Sequence, residues 1–347
     1  MKKLSIILAI VLCVCVLSAC ADMGEIKVSD LKFGENMEGS TTPTDETGSQ
    51  KPEDTTPTIN VEELELDRNN LEFNNLGQAA TIYSGTDAHQ IYWYSEDSSI
   101  AGVCGGVVTA VGPGSTTIHG VVGDKDLTCS VNCTGSFENA REPLMEAPKF
   151  ETVDSSFFDD AVFVGDSISL KLAQDTSGRM GNAIFLVQGS YGVGNAVGDI
   201  LPTTFRGQSY TNLEDAIAAT GGKKLFIMLG MNDIGLYGID GTIENWKTLL
   251  NLIRGTCPDI EIYIQSMTPV WTGGEKGGLT NPNINNYNNK LRVFAAENDC
   301  KFIDVAPFMR DSTGGLATAY CSDKYVHVSD AGVDTWIKVL LAHAYEY

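Results

Sequence analysis

The sequence is short of positive charge. It sets 23 Lys and Arg against 45 Asp and Glu, a formal net charge of −22 over 347 residues. So acidic a chain is a poor partner for nucleic acid or an anionic surface through charge alone, because both repel it. Long apolar runs are missing as well. Only Leu4 to Leu17 stands out, and it is too short for a comfortable membrane span. There are nine cysteines but no paired Cys-x-x-Cys units, which argues against zinc. Histidine is scarce, four in all, which narrows the search for a group that exchanges protons near neutral pH.

What is present begins with an address. Met1-Lys2-Lys3 is a positive start, the apolar stretch follows, and Leu17-Ser18-Ala19-Cys20 closes it. Small residues before that cysteine resemble the lipobox of bacterial lipoproteins. The resemblance implies removal of a signal peptide, residues 1–19, acylation of the Cys20 thiol, and an extracytoplasmic protein held to the bacterial cell membrane by lipid. Residues 20–58 are rich in Thr, Glu, Asp, Gly, Ser and Pro without apolar periodicity, so a disordered acidic tether is expected. Cys13 and Cys15 would leave with the signal, and six cysteines remain beyond Cys20. Cys129 and Cys133 lie four apart in a strand-like segment and share a face. Spacing does not assign disulfides, and buried free thiols are the default.

From 59 to 134 the pattern is short alternating segments parted by turn residues, among them Ile91-Tyr92-Trp93-Tyr94-Ser95, Thr116-Thr117-Ile118-His119-Gly120 and Leu127-Thr128-Cys129-Ser130-Val131. This predicts a small all-β sandwich. The run Trp93 to Ala101, followed by Gly106 to Ile118, resembles the bacterial immunoglobulin-like group 2 domain, which implies a surface spacer or binding module. Trp93 reads as a core anchor, and His119 as structural.

A connector, 135–156, carries Pro143 and Pro148. Residues 157–347 then alternate strands and helices. Strands are expected at 161–165, 183–188, 224–229, 260–266 and 301–305. Helices are expected at 168–176, 212–220, 243–254, 285–298 and about 331–345. Five buried strands with helical crossovers predict a three-layer α/β domain with a mainly parallel sheet, whose ligand sits beyond the carboxyl ends of the strands.

The segments after those strands carry the polar chemistry: Gly165-Asp166-Ser167, then Gly189-Ser190-Tyr191-Gly192-Val193-Gly194, then Gly230-Met231-Asn232-Asp233. Just before the last helix comes Asp323-Lys324-Tyr325-Val326-His327. A serine between strand and helix serves either as a nucleophile or as a helix cap. Of the two histidines beyond 157, His343 sits near the end of the last helix and reads as structural or solvent-facing, which leaves His327 as the base. Cleaving an ester also needs donors for the oxyanion. These would be the backbone N–H of Ser167, that of Gly192 and the amide of Asn232.

These four blocks, in this order, resemble the SGNH/GDSL hydrolase family of esterases and lipases. The resemblance implies a flavodoxin-like α/β/α domain with a five-stranded parallel sheet and no metal or organic cofactor. It makes Ser167 the nucleophile, Gly192 and Asn232 oxyanion donors, and Asp323 with His327 the rest of a triad. Asp323 is four residues before His327, where the family places its acid three before, so a bulge is required. Asp330 or a backbone carbonyl is the alternative for orienting the ring, and Gly189 the alternative for Gly192. Asp166 and Asp233 read as loop-capping carboxylates. The segment Asn281 to Asn289 reads as a loop feeding a helix, with sugar contact the other option, and Trp271 is a candidate substrate contact on a cleft wall.

The expectation is a surface-anchored serine ester hydrolase acting through an acyl-enzyme on Ser167, on small acyl esters such as O-acetyl groups of polysaccharide. Alternatives are a lysophospholipase or lipase-type esterase, an O-acetyltransferase, and a non-catalytic surface binding protein.

Overall fold

The structure is a computed structural model that describes residues 61–85, 91–135, 142–145, 153–198 and 203–343. The expected signal peptide, Cys20 and the tether lie outside the described residues, as does most of the connector.

Alternation of apolar and polar residues builds the first part of the fold. Strands β1 (Asn70–Phe73), β2 (Ala79–Thr81), β3 (Tyr92–Ser95), β4 (Ala101–Cys104), β5 (Val107–Ala110), β6 (Gly114–Val122) and β7 (Lys125–Cys133) form two sheets, ordered β1-β7-β6-β3 and β2-β5-β4. On β7, Leu127, Cys129, Val131 and Cys133 face inward while Thr128 and Ser130 face water, the period of two that a half-buried strand requires. Trp93, 2% exposed, joins these residues and Val103, Val108 and Ile118 in one core between the sheets. The arrangement is an all-β sandwich consistent with the immunoglobulin-like class. Strand β4 escaped the sequence reading because Gly102 weakens its pattern. The glycine is there for packing, since a Cβ would lie 2.6 Å from Cβ of Pro307.

The second part is α/β. Strands β8 (Ala161–Gly165), β9 (Ile184–Val187), β12 (Lys224–Met228), β13 (Glu261–Gln265) and β14 (Lys301–Ile303) make one parallel sheet in the order β14-β13-β12-β8-β9. A short antiparallel pair, β10 (Thr203–Phe205) and β11 (Gln208–Tyr210), stands apart. The helices are α1 (Ser167–Ala173), α2 (Val193–Gly198), α3 (Leu213–Thr220), α4 (Ile234–Thr256), α5 (Asn281–Glu297), α6 (Ala306–Met309) and α7 (Asp330–Ala342). Helices α2, α3 and α5 each pack on α4, and α6 packs on α7. Lys171 of α1 is paired with Asp330 of α7 at 2.7 Å. One register row runs through Phe185, Phe163, Phe226, Tyr263 and Lys301 on the five strands. Its rings stack with centroids 5.1, 4.7 and 4.4 Å apart, and the Lys301 ammonium closes the row 4.8 Å from the last ring.

Strand order reverses at β8, which has β9 on one side and β12 on the other. That reversal is a topological switch point, where the loops after β8 and β12 diverge and open a crevice. Helix α2 and the β10–β11 pair are additions to the sequence expectation, too short for periodicity to reveal. Helix α4 begins well before the expected position 243 because Ile234 to Tyr237 form a turn ahead of a break at Gly238 (φ 68°, ψ 174°).

The two parts share a seam. Phe302 of edge strand β14 directs its N–H and C=O outward, and the Tyr92 phenol bonds both, accepting from the N–H at 2.5 Å and donating to the carbonyl. Arg310, fully buried, donates to the Ser98 carbonyl at 3.0 Å and to Asn285 Oδ1. Arg292 donates to the Glu96 carbonyl at 2.9 Å and lies over the Tyr94 ring. An open parallel edge is thus closed by side chains of the sandwich.

Candidate active site

Strand β8 ends at Gly165, where a Cβ would lie 2.0 Å from Ser169 Oγ, so only glycine lets the chain turn directly from strand into helix. Asp166 is the N-cap of α1, and its Oδ1 accepts the Ile168 N–H at 2.9 Å. The capping role is therefore filled by the aspartate and not by Ser167. The Ser167 hydroxyl instead faces His327, with Oγ 3.1 Å from Nε2.

His327 reaches that position through a tight loop. Its Nδ1 lies 2.6 Å from Asp323 Oδ2. The other oxygen of Asp323 accepts the backbone N–H groups of Tyr325, Val326 and His327 at 2.8, 3.1 and 3.2 Å. Lys324 stands at φ 55°. This left-handed residue is the bulge that a four-residue spacing calls for. Burial works to raise the Asp323 carboxyl, but the bonds from the imidazole and the backbone outweigh it and hold the group below the usual range. The same bond raises His327 against the opposing effect of burial. Asp330 is elsewhere, exposed and paired with Lys171. His343 is buried at the end of α7, with Nδ1 2.8 Å from the Val339 carbonyl.

The third block follows β12. Gly230 has φ 136°, and a Cβ there would lie 2.5 Å from the Tyr287 hydroxyl. That hydroxyl donates to the Leu229 carbonyl at 2.7 Å and accepts from Trp246 Nε1 at 2.7 Å, so a fully buried pair fixes the turn from behind. Asn232 Nδ2 donates to Asp166 Oδ2 at 3.1 Å and to the Tyr191 carbonyl at 3.0 Å. The amide therefore bridges the first and second blocks. Asp166 is buried, and burial pushes its carboxyl up to about 7, with the Ile168 N–H and His327 pulling the other way. Asp233 is also buried and raised for that reason. Its oxygens accept the N–H groups of Val193 and Gly194, both at 2.9 Å, and a Cβ on Gly192 would lie 2.6 Å from them. Asp166 caps α1 and Asp233 holds the first N–H groups of α2, and each also ties one block to another.

In the second block the Gly192 N–H is already engaged, donating to Asn195 Oδ1 at 2.9 Å. Gly189 has no neighbour that would crowd a Cβ. Trp271 braces the loop that carries His327: its backbone N–H donates to the Tyr325 carbonyl at 2.8 Å and its indole Nε1 to Thr318 Oγ1 at 3.3 Å. Lys276 lies over the Tyr325 ring at 4.4 Å. The asparagine-rich run is the start of α5, capped by Thr280. Asn281 and Asn288 pair with the backbone of Val270 and Met267, so they shape the loop after β13. Sequence reasoning missed Tyr287, Trp246 and Asn195. Only Asn195 carried a local signal, a polar residue three positions after the residue preceding a helix.

A serine hydroxyl, an imidazole and a carboxylate stand in one hydrogen-bonded line. That constellation suits acyl transfer. Among the described residues no group of three or more His, Cys, Asp or Glu forms a metal cluster.

Residues 163–334 match the GDSL-like Lipase/Acylhydrolase family. Similar solved structures include a GDSL-like lipase from Bacteroides thetaiotaomicron, 16% identical, covering 55% of this chain and 89% of its own, with a TM-score of 0.43. A carbohydrate esterase family 3 protein from Talaromyces cellulolyticus is 15% identical over 52% of this chain and 93% of its own, TM-score 0.38. A member of the lipolytic G-D-S-L family from Veillonella parvula is 20% identical over 52% and 95%, TM-score 0.37. No curated protein matches the chain.

Proposed function

From a GDSL-like lipase/acylhydrolase domain at residues 163–334, a carboxylic ester hydrolase, we propose hydrolysis of small acyl esters through an acyl-enzyme on Ser167. The observation that carries the reading is the line from Ser167 Oγ through the His327 ring to Asp323, with contacts of 3.1 and 2.6 Å. In the first step Ser167 Oγ attacks the ester carbonyl as His327 Nε2 takes its proton. Asp323 holds the ring in the required tautomer and stabilises the imidazolium. The alcohol leaves with that proton. A water then attacks the acyl-serine by the reverse proton path and releases the acid. In this reading the Ser167 N–H and the Asn232 amide serve the oxyanion, the amide by giving up its resting bond to the Tyr191 carbonyl.

The substrate reading is an O-acyl group, acetyl above all, on surface carbohydrate, with the protein anchored through lipid on Cys20. It is supported by the Leu17-Ser18-Ala19-Cys20 pattern and by the sandwich, read as a bacterial immunoglobulin-like group 2 domain. The test is hydrolysis of p-nitrophenyl esters of rising chain length. Wild type is expected to favour acetate, and Ser167→Ala to fall roughly 10,000-fold or more toward background. Preference for long acyl chains would replace the acetyl reading with a lipase-type one. Equal inertness of wild type and variant would remove the hydrolase reading in favour of a binding protein.

A further inference from the structure

The peptide between Tyr191 and Gly192 is gripped at both ends. Its carbonyl accepts from Asn232 Nδ2 at 3.0 Å, and its N–H donates to Asn195 Oδ1 at 2.9 Å. No peptide bond among the described residues is cis, and in a trans peptide the C=O and N–H point in opposite directions. The Gly192 N–H therefore points away from the Asn232 amide. In this arrangement the two donors do not converge on one oxygen, although both are expected to stabilise the same oxyanion.

We propose that Asn195 is a positioning residue that holds the Tyr191–Gly192 peptide in either of two orientations, withdrawn at rest and turned toward the oxyanion during catalysis. The proposal rests on the acyl-transfer reading of this site. A rotation of about 180° of that peptide plane brings the N–H to the side of Asn232. Asn195 carries both an acceptor and a donor. Its Oδ1 holds the N–H at rest, and its Nδ2 serves the displaced Tyr191 carbonyl after the turn.

Three features permit the motion. Glycine at 192 accepts backbone angles of either sign, where any side chain would be confined. The Asp233 oxygens hold Val193 and Gly194, so the helix beyond the peptide stays still while the peptide turns. Ser190, on the other side, is already at φ 58°, a conformation that stores strain next to the moving bond. A neutral ester carbonyl competes poorly with Asn195 for the N–H. A developing oxyanion competes well, because a charged acceptor makes a bond roughly twice as strong. The donor is thus released mainly in the transition state, the interaction pattern that accelerates chemistry rather than binding.

The test compares Asn195→Asp and Asn195→Ala in the full chain with p-nitrophenyl acetate at pH 8. Aspartate only accepts, so it holds the resting orientation alone. Its kcat is expected to fall at least about tenfold, with KM within about twofold and no loss of Tm. Alanine holds neither orientation and is expected to lose kcat at least about threefold less than aspartate does. A plain helix cap predicts the opposite order: aspartate harmless and alanine damaging. Either that order or equal losses in the two variants overturns the proposal.

Amide exchange supplies a readout that needs no turnover. The Gly192 amide is expected to be protected in wild type, to exchange at least about tenfold faster in Asn195→Ala, and to change its 15N shift when diethyl p-nitrophenyl phosphate modifies Ser167. An unchanged Gly192 signal in both experiments overturns the proposal. A wild type that cleaves no ester yet shows the expected exchange pattern overturns the hydrolase reading and leaves the switch standing.

Discussion

A serine hydroxyl is free to act here because a neighbour does the structural work. Asp166 caps α1, so Ser167 spends no hydrogen bond on the backbone and meets His327 instead. The same logic separates the two aspartates near His327 in sequence. Asp323 touches the ring while Asp330 pairs with Lys171. Asp323→Asn should therefore lower kcat roughly 100- to 10,000-fold, with Asp330→Ala within about twofold of wild type, in the p-nitrophenyl acetate assay. The pH profile follows from His327. The base must be neutral, and the Asp323 bond raises the ring above its usual 6.5, so activity should rise with pH with a midpoint above 6.5. In Asp323→Asn the midpoint of any residual activity should move down. The stability effect runs the other way: the gain from the raised ring is complete below pH 6.5 and is lost as pH climbs through the raised value. Asp166 is raised from 3.8 to about 7 by burial. Its folded form favours the proton, so it too costs stability as pH rises from about 4 to 7. Asn caps helices nearly as well, and Asp166→Asn should flatten that part of a urea-denaturation pH series relative to wild type.

Short elements hold these groups through contacts that lie far away in sequence. The turn after β12 is kept open by Gly230 and backed by Tyr287, whose hydroxyl serves both the Leu229 carbonyl and Trp246. Tyr287→Phe strips a buried donor and a buried carbonyl of their partner. A loss of about 1–3 kcal/mol is expected in urea unfolding, together with lower kcat as Asn232 loses its fixed position. The loop before α7 shows the same economy. One left-handed residue, Lys324, and three N–H groups on Asp323 Oδ1 turn a five-residue segment into a rigid holder for the imidazole.

At the scale of the whole described structure, side chains of the sandwich are bonded directly to the α/β part. Tyr92 closes the edge of β14, Arg310 is buried against the Ser98 carbonyl, and Gly102 rests on Pro307 without room for a Cβ. Removing the Tyr92 hydroxyl leaves the outward N–H and C=O of Phe302 without it. Tyr92→Phe should therefore cost about 1–3 kcal/mol. Wild-type unfolding should be a single transition, with fluorescence and loss of esterase activity coincident. Two separated transitions would mean that the sandwich folds on its own.

Local patterns in the chain already carried the layered class of both parts and the five strands of the parallel sheet, and they brought Ser167 and His327 toward one rim. Buried strands, glycine turns and a serine at a strand–helix junction are local signals, written in neighbouring residues. Their convergence was legible too, because a parallel sheet sends every strand's carboxyl end to one edge. The tertiary structure alone decided between Asp323 and Asp330, since both are near His327 in sequence and only loop geometry separates them. It alone revealed Tyr287 behind the Asn232 turn, the seam between sandwich and sheet, and the direction of the Gly192 N–H. Each of these depends on how residues 3 to 212 positions apart are oriented, and orientation across such distances leaves no periodic trace in the chain.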